Sequence, residues 1–171
     1  MSTPDAHEAS PTVIALQPGE GDARWFLGAL LTIKSSAATT DGRVAVIEHH
    51  APQGHGSPLH VHHNEDEWFY VIDGELTFLV GGERIVARSG GFVYGPRGIP
   101  HIFQVTSEGP SRFLLVAEPG GFEAMVRAAG VPATEPGLPP SESPPPDMEL
   151  LGAAAAAQGI EILGPPGIAQ A

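Results

Sequence analysis

Three histidines and one glutamate in this chain have the types and spacing to bind a metal ion. His60 and His62 lie two positions apart in a β-type run, and residues i and i+2 of a strand face the same side of a sheet. Glu67 follows after a short turn, and His101 begins a separate β-type run. Imidazole nitrogens and a carboxylate, with coordination positions left over, indicate a divalent transition-metal site. We therefore predict one metal per chain, which the donor set allows to be Ni, Fe, Mn, Co, Cu or Zn.

The amino-acid composition makes histidine the main source of candidate metal ligands. There is no cysteine, which excludes disulfides, thiolate catalysis and cysteine-based zinc sites. Six of the eight histidines lie between His49 and His63. We predict that His63 points to solvent and that at most one of His49 and His50 faces inward. For His55, which lies in a Gly-rich loop, the preferred interpretation is a solvated side chain and the alternative is one that reaches a substrate.

The acidic residues beside Glu67 are open to two interpretations. Glu65 and Asp66 are most simply turn residues that carry surface charge. Alternatively, Asp66 replaces Glu67 as the metal ligand if the local strand register shifts by one residue, because such a shift reverses the two faces of a strand.

The overall charge excludes one large class of partners. The 171 residues include 8 Lys and Arg against 20 Asp and Glu, a formal net charge of −12. A nucleic-acid-binding protein needs clustered basic residues, so no nucleic-acid partner is expected. The first ten residues lack the basic and apolar regions of a signal peptide, and no apolar run is long enough to cross a bilayer. We therefore predict a cytoplasmic protein without a membrane partner.

Short β-type runs separated by turns dominate the chain between Arg24 and Glu118. Dipeptides such as Asp73-Gly74 and Gly81-Gly82 are strong hairpin signals, and eight or so strands at this spacing favour a sandwich or barrel. We predict an arm over residues 1–20, with a short strand at 12–16, a β-barrel over 21–118 and a wrapping tail over 119–171. The predicted strands are 25–33, 43–48, 67–72, 75–80, 84–87, 92–94, 101–105 and 112–117.

The tail is predicted to combine helices with an extended segment. Phe122 to Ala129 has the apolar spacing of an amphipathic helix, and Asp147 can cap a second helix that runs through Ala157. Between them, residues 132–147 contain seven prolines and are expected to be extended.

Two motifs in this chain resemble those of the cupin superfamily. Gly54-x5-His60-x-His62-x4-Glu67-x6-Gly74 matches the first cupin motif, and Gly90-x5-Pro96-x-Gly98-x2-His101 matches the second. The asparagine usual in the second motif is replaced by Val105, which is not a ligand position. The resemblance implies an all-β fold with an antiparallel jelly-roll barrel, a metal held by His60, His62, Glu67 and His101, and a homodimer.

Two flanking segments, WFLGALLTIKSS ahead of the predicted barrel and GGFEAMVRAAG followed by GLPP behind it, are similar to those of small single-domain cupins related to quercetin 2,3-dioxygenase. This similarity implies a dioxygenase that takes dioxygen and a flavonol-like or other enolic aromatic small molecule, with Glu67 as ligand and possible base. Phe69 and Phe103, expected to point inward, are candidates for lining the substrate pocket, while Trp68 and Tyr70 are expected to point outward. The alternatives are a metal-dependent isomerase, epimerase or decarboxylase of a small polar compound, and a binding protein without turnover.

Overall fold

The computed structural model describes residues 13–168. Twelve strands and three helices occupy most of this range. They are β1 (Asp22–Phe26), β2 (Ala29–Ser35), α1 (Ala37–Thr40), β3 (Ala45–Ala51), β4 (Pro58–His62), β5 (Asp66–Asp73), β6 (Glu75–Val80), β7 (Glu83–Arg88), β8 (Phe92–Gly95), β9 (His101–Val105), β10 (Ser111–Glu118), α2 (Phe122–Ala129), β11 (Val131–Pro132), α3 (Met148–Ala157) and β12 (Ile160–Pro166).

The strands form two antiparallel sheets that enclose the core. One sheet has seven strands in the order β11-β1-β2-β3-β10-β5-β8, and the other has five in the order β12-β4-β9-β6-β7. The chain passes between the sheets several times, as in a jelly roll. This confirms the predicted all-β jelly-roll architecture with a helical and proline-rich C-terminal extension.

Alternation along the strands places the apolar side chains between the sheets. In β5, Phe69 and Val71 are buried whereas Tyr70 is about half exposed, as the period of two requires. Ring centroids of Phe69 and Phe103 lie 6.1 Å apart, and those of Phe103 and Phe113 lie 5.3 Å apart. The core is therefore aromatic where it approaches the candidate ligands, since Phe69 and Phe103 share their strands with Glu67 and His101.

The N-terminal part departs from the prediction in two places. The run 25–33 is divided into β1 and β2 by a turn at Leu27 and Gly28, whose φ angles are 52° and 88°. Such positive φ values are those of a tight primed hairpin. The short strand predicted at 12–16 is absent over residues 13–16, and Thr12 lies outside the described residues.

The C-terminal extension packs across the body and adds a strand to it. Helix α2 has the predicted bounds, and α3 begins after Asp147, whose side chain accepts hydrogen bonds from the backbone N–H groups of Glu149 and Leu150. After α3, β12 pairs with β4, placing Ile160 opposite His62. The tail therefore completes the sheet beside the strand that holds two candidate ligands. The boundaries predicted for arm, barrel and tail stay predictions.

No helix in the described part of the chain is both long enough and apolar enough to cross a bilayer.

One glycine is required where the chain passes from one sheet to the other. Gly74 joins β5 to β6 with a φ of 87°, and a Cβ atom there would overlap the Ser111 hydroxyl. Gly82, in the β6–β7 hairpin, has a similar φ of 90° with nothing within 4 Å of the corresponding position.

We expect Gly74→Ala to destabilise the fold more than Gly82→Ala does. Both variants incur the backbone strain of a left-handed alanine, about 1–2 kcal/mol, but only the first adds a steric overlap, worth a further ~1–3 kcal/mol. Urea unfolding measures the difference. Equal losses in the two variants would show that the turn at Gly74 can relax away from Ser111.

Candidate metal centre

The four predicted ligands meet at one point between the two sheets. One donor atom from each of His60, His62, Glu67 and His101 lies within 4.8 Å of all the others. His60 and His101 are direct cross-strand neighbours in the five-stranded sheet, whereas Glu67 reaches the same point from the seven-stranded sheet. The site therefore depends on the packing of one sheet on the other.

Hydrogen bonds at Nδ1 determine which nitrogen of each imidazole faces the centre. His60 Nδ1 donates to the Pro58 carbonyl at 2.8 Å, and His101 Nδ1 donates to the Ile99 carbonyl at 2.9 Å. Because a carbonyl oxygen can only accept, each of these nitrogens carries the hydrogen. The Nε2 lone pairs are thereby left to face inward, as metal-binding histidines require.

A positive charge is needed between the donors. His101 Nε2 lies 2.9 Å from Glu67 Oε2, and His62 Nε2 lies 3.3 Å from the same oxygen. His62 Nε2 is buried without a hydrogen-bond partner among the described residues. Facing lone pairs repel each other unless a proton or a cation lies between them. Ligands about 2.1 Å from one ion lie at most ~4.2 Å apart, so these residues fit a divalent metal after a small contraction.

The electrostatics of the cluster favour an ionised carboxylate. Burial raises the pKa of Glu67, but the positive charges that His62 and His101 can carry outweigh it and lower that pKa to about 2. Burial lowers the pKa of His62, yet the charges of Glu67 and Glu65 reverse this and raise it. Burial lowers the pKa of His60 to about 4. Near neutral pH the site therefore offers an ionised Glu67 and a neutral His60, the forms that bind metals. A metal ion would take the place of the proton that the raised pKa favours on His62.

Glu65 was predicted to be a turn residue with surface charge, and this prediction is wrong. Only 2% of the residue is exposed, and its Oε2 accepts a hydrogen bond from His62 Nδ1 at 2.7 Å. A Cβ on Gly121 would lie 2.5 Å from its other carboxylate oxygen, so the start of α2 encloses this carboxylate. The spacing His-x2-Glu within one turn is the signal that could have identified it.

Asp66 is excluded as an alternative ligand by its orientation. Its carboxylate pairs with the Arg97 guanidinium at 2.6 Å on the outside of the sheet. The hydrogen bonds from Arg97 lower the pKa of Asp66 to about 2. The register shift that would have made Asp66 a ligand does not occur, because Glu67 is the buried residue of the pair.

The remaining histidines of the cluster divide between solvent and interior. His63 is exposed and pairs with Glu161 at 3.0 Å, as expected of a residue that points outward. His49 is buried and faces inward while His50 is not fully buried, in agreement with the expectation that at most one does. The prediction of a solvated His55 is wrong: the ring lines the internal cavity, and burial lowers its pKa to about 4. The loop folds inward because His55 and Gly56 are held to β9 by backbone contacts with Gln104 and Val105.

A mainly apolar cavity leads from the candidate ligands toward α2 and α3. The space inside it that the centre of a water-sized molecule can occupy is about 60 Å³. Phe69 and Phe103, the two predicted pocket residues, both line it beside His60 and Glu67. The other lining residues are Phe26, Leu27, Leu31, His49, His55, Gly56, Ser57, Pro58, Leu115, Phe122, Met125, Leu151, Ala155, Ile160 and Ile162.

Comparison with known proteins places this site in a familiar domain. Residues 46–117, which include all four candidate ligands, match the cupin domain family. Quercetin 2,3-dioxygenase from Bacillus subtilis (strain 168) is 30% identical over 117 residues, which cover 68% of this chain and 34% of the relative. The chain thus spans about a third of that relative's length.

A solved structure supports the fold alone. The crystal structure of a predicted oxalate decarboxylase from Thermotoga maritima aligns with a TM-score of 0.57 at 20% sequence identity. The alignment covers 63% of this chain and 99% of that chain.

We expect Glu65→Gln to weaken metal binding by about 10- to 100-fold, the usual effect of losing a partner that orients a ligand. The neutral amide no longer supports His62 with a negative charge. Competition with a chromogenic chelator measures the affinity. Asp66→Asn is the matched control, because it removes the neighbouring carboxylate on the outer face. Equal affinities in the two variants would contradict a supporting role for Glu65.

A second prediction concerns acid stability. Burial, and secondarily the positive charge that His55 can carry, lower the pKa of His49 from 6.5 to about 3. Between these two pKa values, His49 binds a proton in the unfolded chain but not in the folded chain. The free energy of unfolding therefore decreases as the pH falls below 6.5.

Replacing His49 with phenylalanine removes this effect. Between pH 7.5 and pH 5, we expect metal-free His49→Phe to lose about 2 kcal/mol less unfolding free energy than the unsubstituted protein. Urea titrations at the two pH values measure it. His50→Phe, on the other face of the same strand, controls for the chemical change, and an identical pH response in all three proteins would refute the prediction.

Proposed function

We propose that this protein, a member of the cupin superfamily, is a metal-dependent dioxygenase of a flavonol-like or other enolic aromatic compound. The observation that carries the proposal is a cluster of three imidazoles and one carboxylate, two members of which, His60 and Glu67, line a mainly apolar cavity with aromatic walls. The similarity to a quercetin 2,3-dioxygenase over two thirds of the chain supports the same substrate class.

The cavity favours a neutral aromatic substrate over an anionic one. Its lining residues include neither lysine nor arginine, which an isomerase, epimerase or decarboxylase would use to bind a small anion. Arg43, Arg84, Arg88 and Arg112 are all exposed, and Arg112 pairs with Glu48 on the outer face. Phe69 and Phe103 offer ring faces and edges against which a planar substrate can pack.

A divalent metal in this site would supply a Lewis acid that holds the enolic oxygen of the substrate. Glu67 is positioned to accept the proton that leaves that oxygen, and the resulting electron-rich ring is the part that reacts with dioxygen. The apolar walls exclude water from the reacting centre.

Two further parts of the proposal concern the state of the protein. A homodimer and a cytoplasmic location, both predicted from the sequence, stay predictions. The exposed side chains of Tyr70, Phe92 and Tyr94 on β5 and β8 give an outer sheet surface on which a second copy can pack.

The experiment that tests the proposal is oxygen-dependent turnover of quercetin. Protein purified without an affinity tag is loaded separately with Ni, Mn, Co or Fe and mixed with quercetin under air. We expect the flavonol absorbance to fall with at least one metal, with concurrent oxygen uptake. No absorbance change with any metal would reject this substrate, and binding without any change would favour a binding protein.

Substitutions at positions 66 and 67 test whether the activity depends on the candidate metal site. Glu67→Gln is expected to lower the rate by at least ~100-fold, because it removes both a ligand and a proton acceptor. Asp66→Asn, one position along and on the outer face, is expected to retain the rate. Equal rates in the two variants would separate the activity from this site.

A further inference from the structure

His49 lies at a position of β3 from which side chains point into the core. The buried residues of this strand are Ala45, Ile47, His49 and Ala51, every second position. The side chain of His49 is on the inward face with 4% of the residue exposed. The alternation of buried residues along β3 therefore predicts an apolar side chain at position 49, where this protein has an imidazole.

Neither ring nitrogen of His49 has a hydrogen-bond partner among the described residues. A neutral imidazole carries one donor and one acceptor, and burial keeps this ring neutral by lowering its pKa to about 3. Buried polar groups without partners are costly and uncommon in native proteins. A hydrogen-bond partner that is not part of the chain would explain the unpaired nitrogens of His49.

The surroundings of His49 fix the ring and direct it toward the cavity. The ring stacks on Phe113 with centroids 4.5 Å apart, and it meets Phe103 edge-on at 6.5 Å. His49 lines the same cavity as Glu67 and His60. His49 and Glu67 are therefore the residues of the seven-stranded sheet that bring polar side chains to the lining of this cavity.

We propose that His49 is a substrate-anchoring residue, which forms a hydrogen bond with a hydroxyl or carbonyl oxygen carried by the aromatic ring system of the bound substrate. The proposal rests on the proposed function in that the substrate is an oxygenated aromatic molecule. A water molecule can satisfy the ring in the free protein and is then displaced by the substrate oxygen. The two neutral tautomers let the same ring donate to a carbonyl or accept from a hydroxyl.

Such a contact makes the cavity selective. A site built to hydrogen-bond an oxygen discriminates against the analogue that lacks it, because the buried polar group is then left unpaired. An apolar residue at position 49 would accept both analogues equally.

The test compares phenol with toluene, which have the same number of heavy atoms. The zinc-loaded protein binds each probe, and calorimetry gives both dissociation constants. In His49→Phe, we expect the preference for phenol over toluene to fall about fivefold to tenfold, the worth of one neutral hydrogen bond. Any direct interaction of phenol with the metal is present in both proteins and cancels in the comparison.

Two further variants complete the design. His50→Phe makes the same change on the outer face of β3 and is expected to keep the preference. His49→Gln restores a donor and an acceptor and is expected to regain part of it. An unchanged preference in His49→Phe, or a failure of the unsubstituted protein to bind either probe, overturns the proposal.

A measurement on the unsubstituted protein remains decisive if His49→Phe does not fold. In protein with ¹⁵N-labelled histidine, phenol is expected to shift the ring nitrogen resonances of His49 and toluene to leave them in place. Equal responses to the two probes overturn the proposal. Failure to turn over quercetin with the phenol preference intact rejects only the flavonol assignment, so the two proposals fail separately.

Discussion

Four electron-pair donors held within 4.8 Å of one another inside an apolar core impose the main constraint on this protein. Without a positive charge between them, the lone pairs of His62, His101 and Glu67 repel each other in a medium that screens charge poorly. The surrounding structure holds them together nevertheless, through the cross-strand pair of His60 and His101 and the packing of the second sheet, which brings in Glu67. Strand pairing within one sheet and packing between the two sheets therefore oppose the separation of the four donors.

Hydrogen-bond partners of the three imidazoles help to hold the donors in place. Backbone carbonyls two residues earlier in the chain hold His60 and His101, so these rings are oriented by the local strand geometry itself. His62 depends instead on a side chain, Glu65, which the start of α2 encloses. A change in α2 can therefore reach the metal ligands through a single carboxylate.

The sequence predicted the parts of the site that follow from local periodicity. The spacing of His60 and His62 places both on one face of β4, and alternation from Glu67 correctly assigns Phe69 inward and Tyr70 outward. The same rule correctly turned His63 outward, because neighbouring residues in a strand face opposite sides.

Features that depend on long-range packing were not predictable in this way. Glu65 and His55 lie in loops, where no period indicates which side chain is buried, and each is buried by contacts with distant segments. The division of 25–33 into two strands was missed because Leu27, a residue type that rarely adopts a positive φ, forms half of the turn. A tail that wraps back onto the body was predicted, but no local period indicated that it adds the strand β12 beside β4.

The pairing of β12 with β4 has a consequence for the order of folding. Ile160 and its partner His62 are 98 positions apart in the chain, so this contact closes a long loop and forms slowly compared with hairpins such as β6–β7. All four candidate ligands lie between residues 60 and 101, and their strands can assemble first. During that interval the outer edge of β4 offers unpaired backbone groups to other chains. Pairing of β12 with β4 then covers that edge, so the last residues of the chain to be made end this exposure.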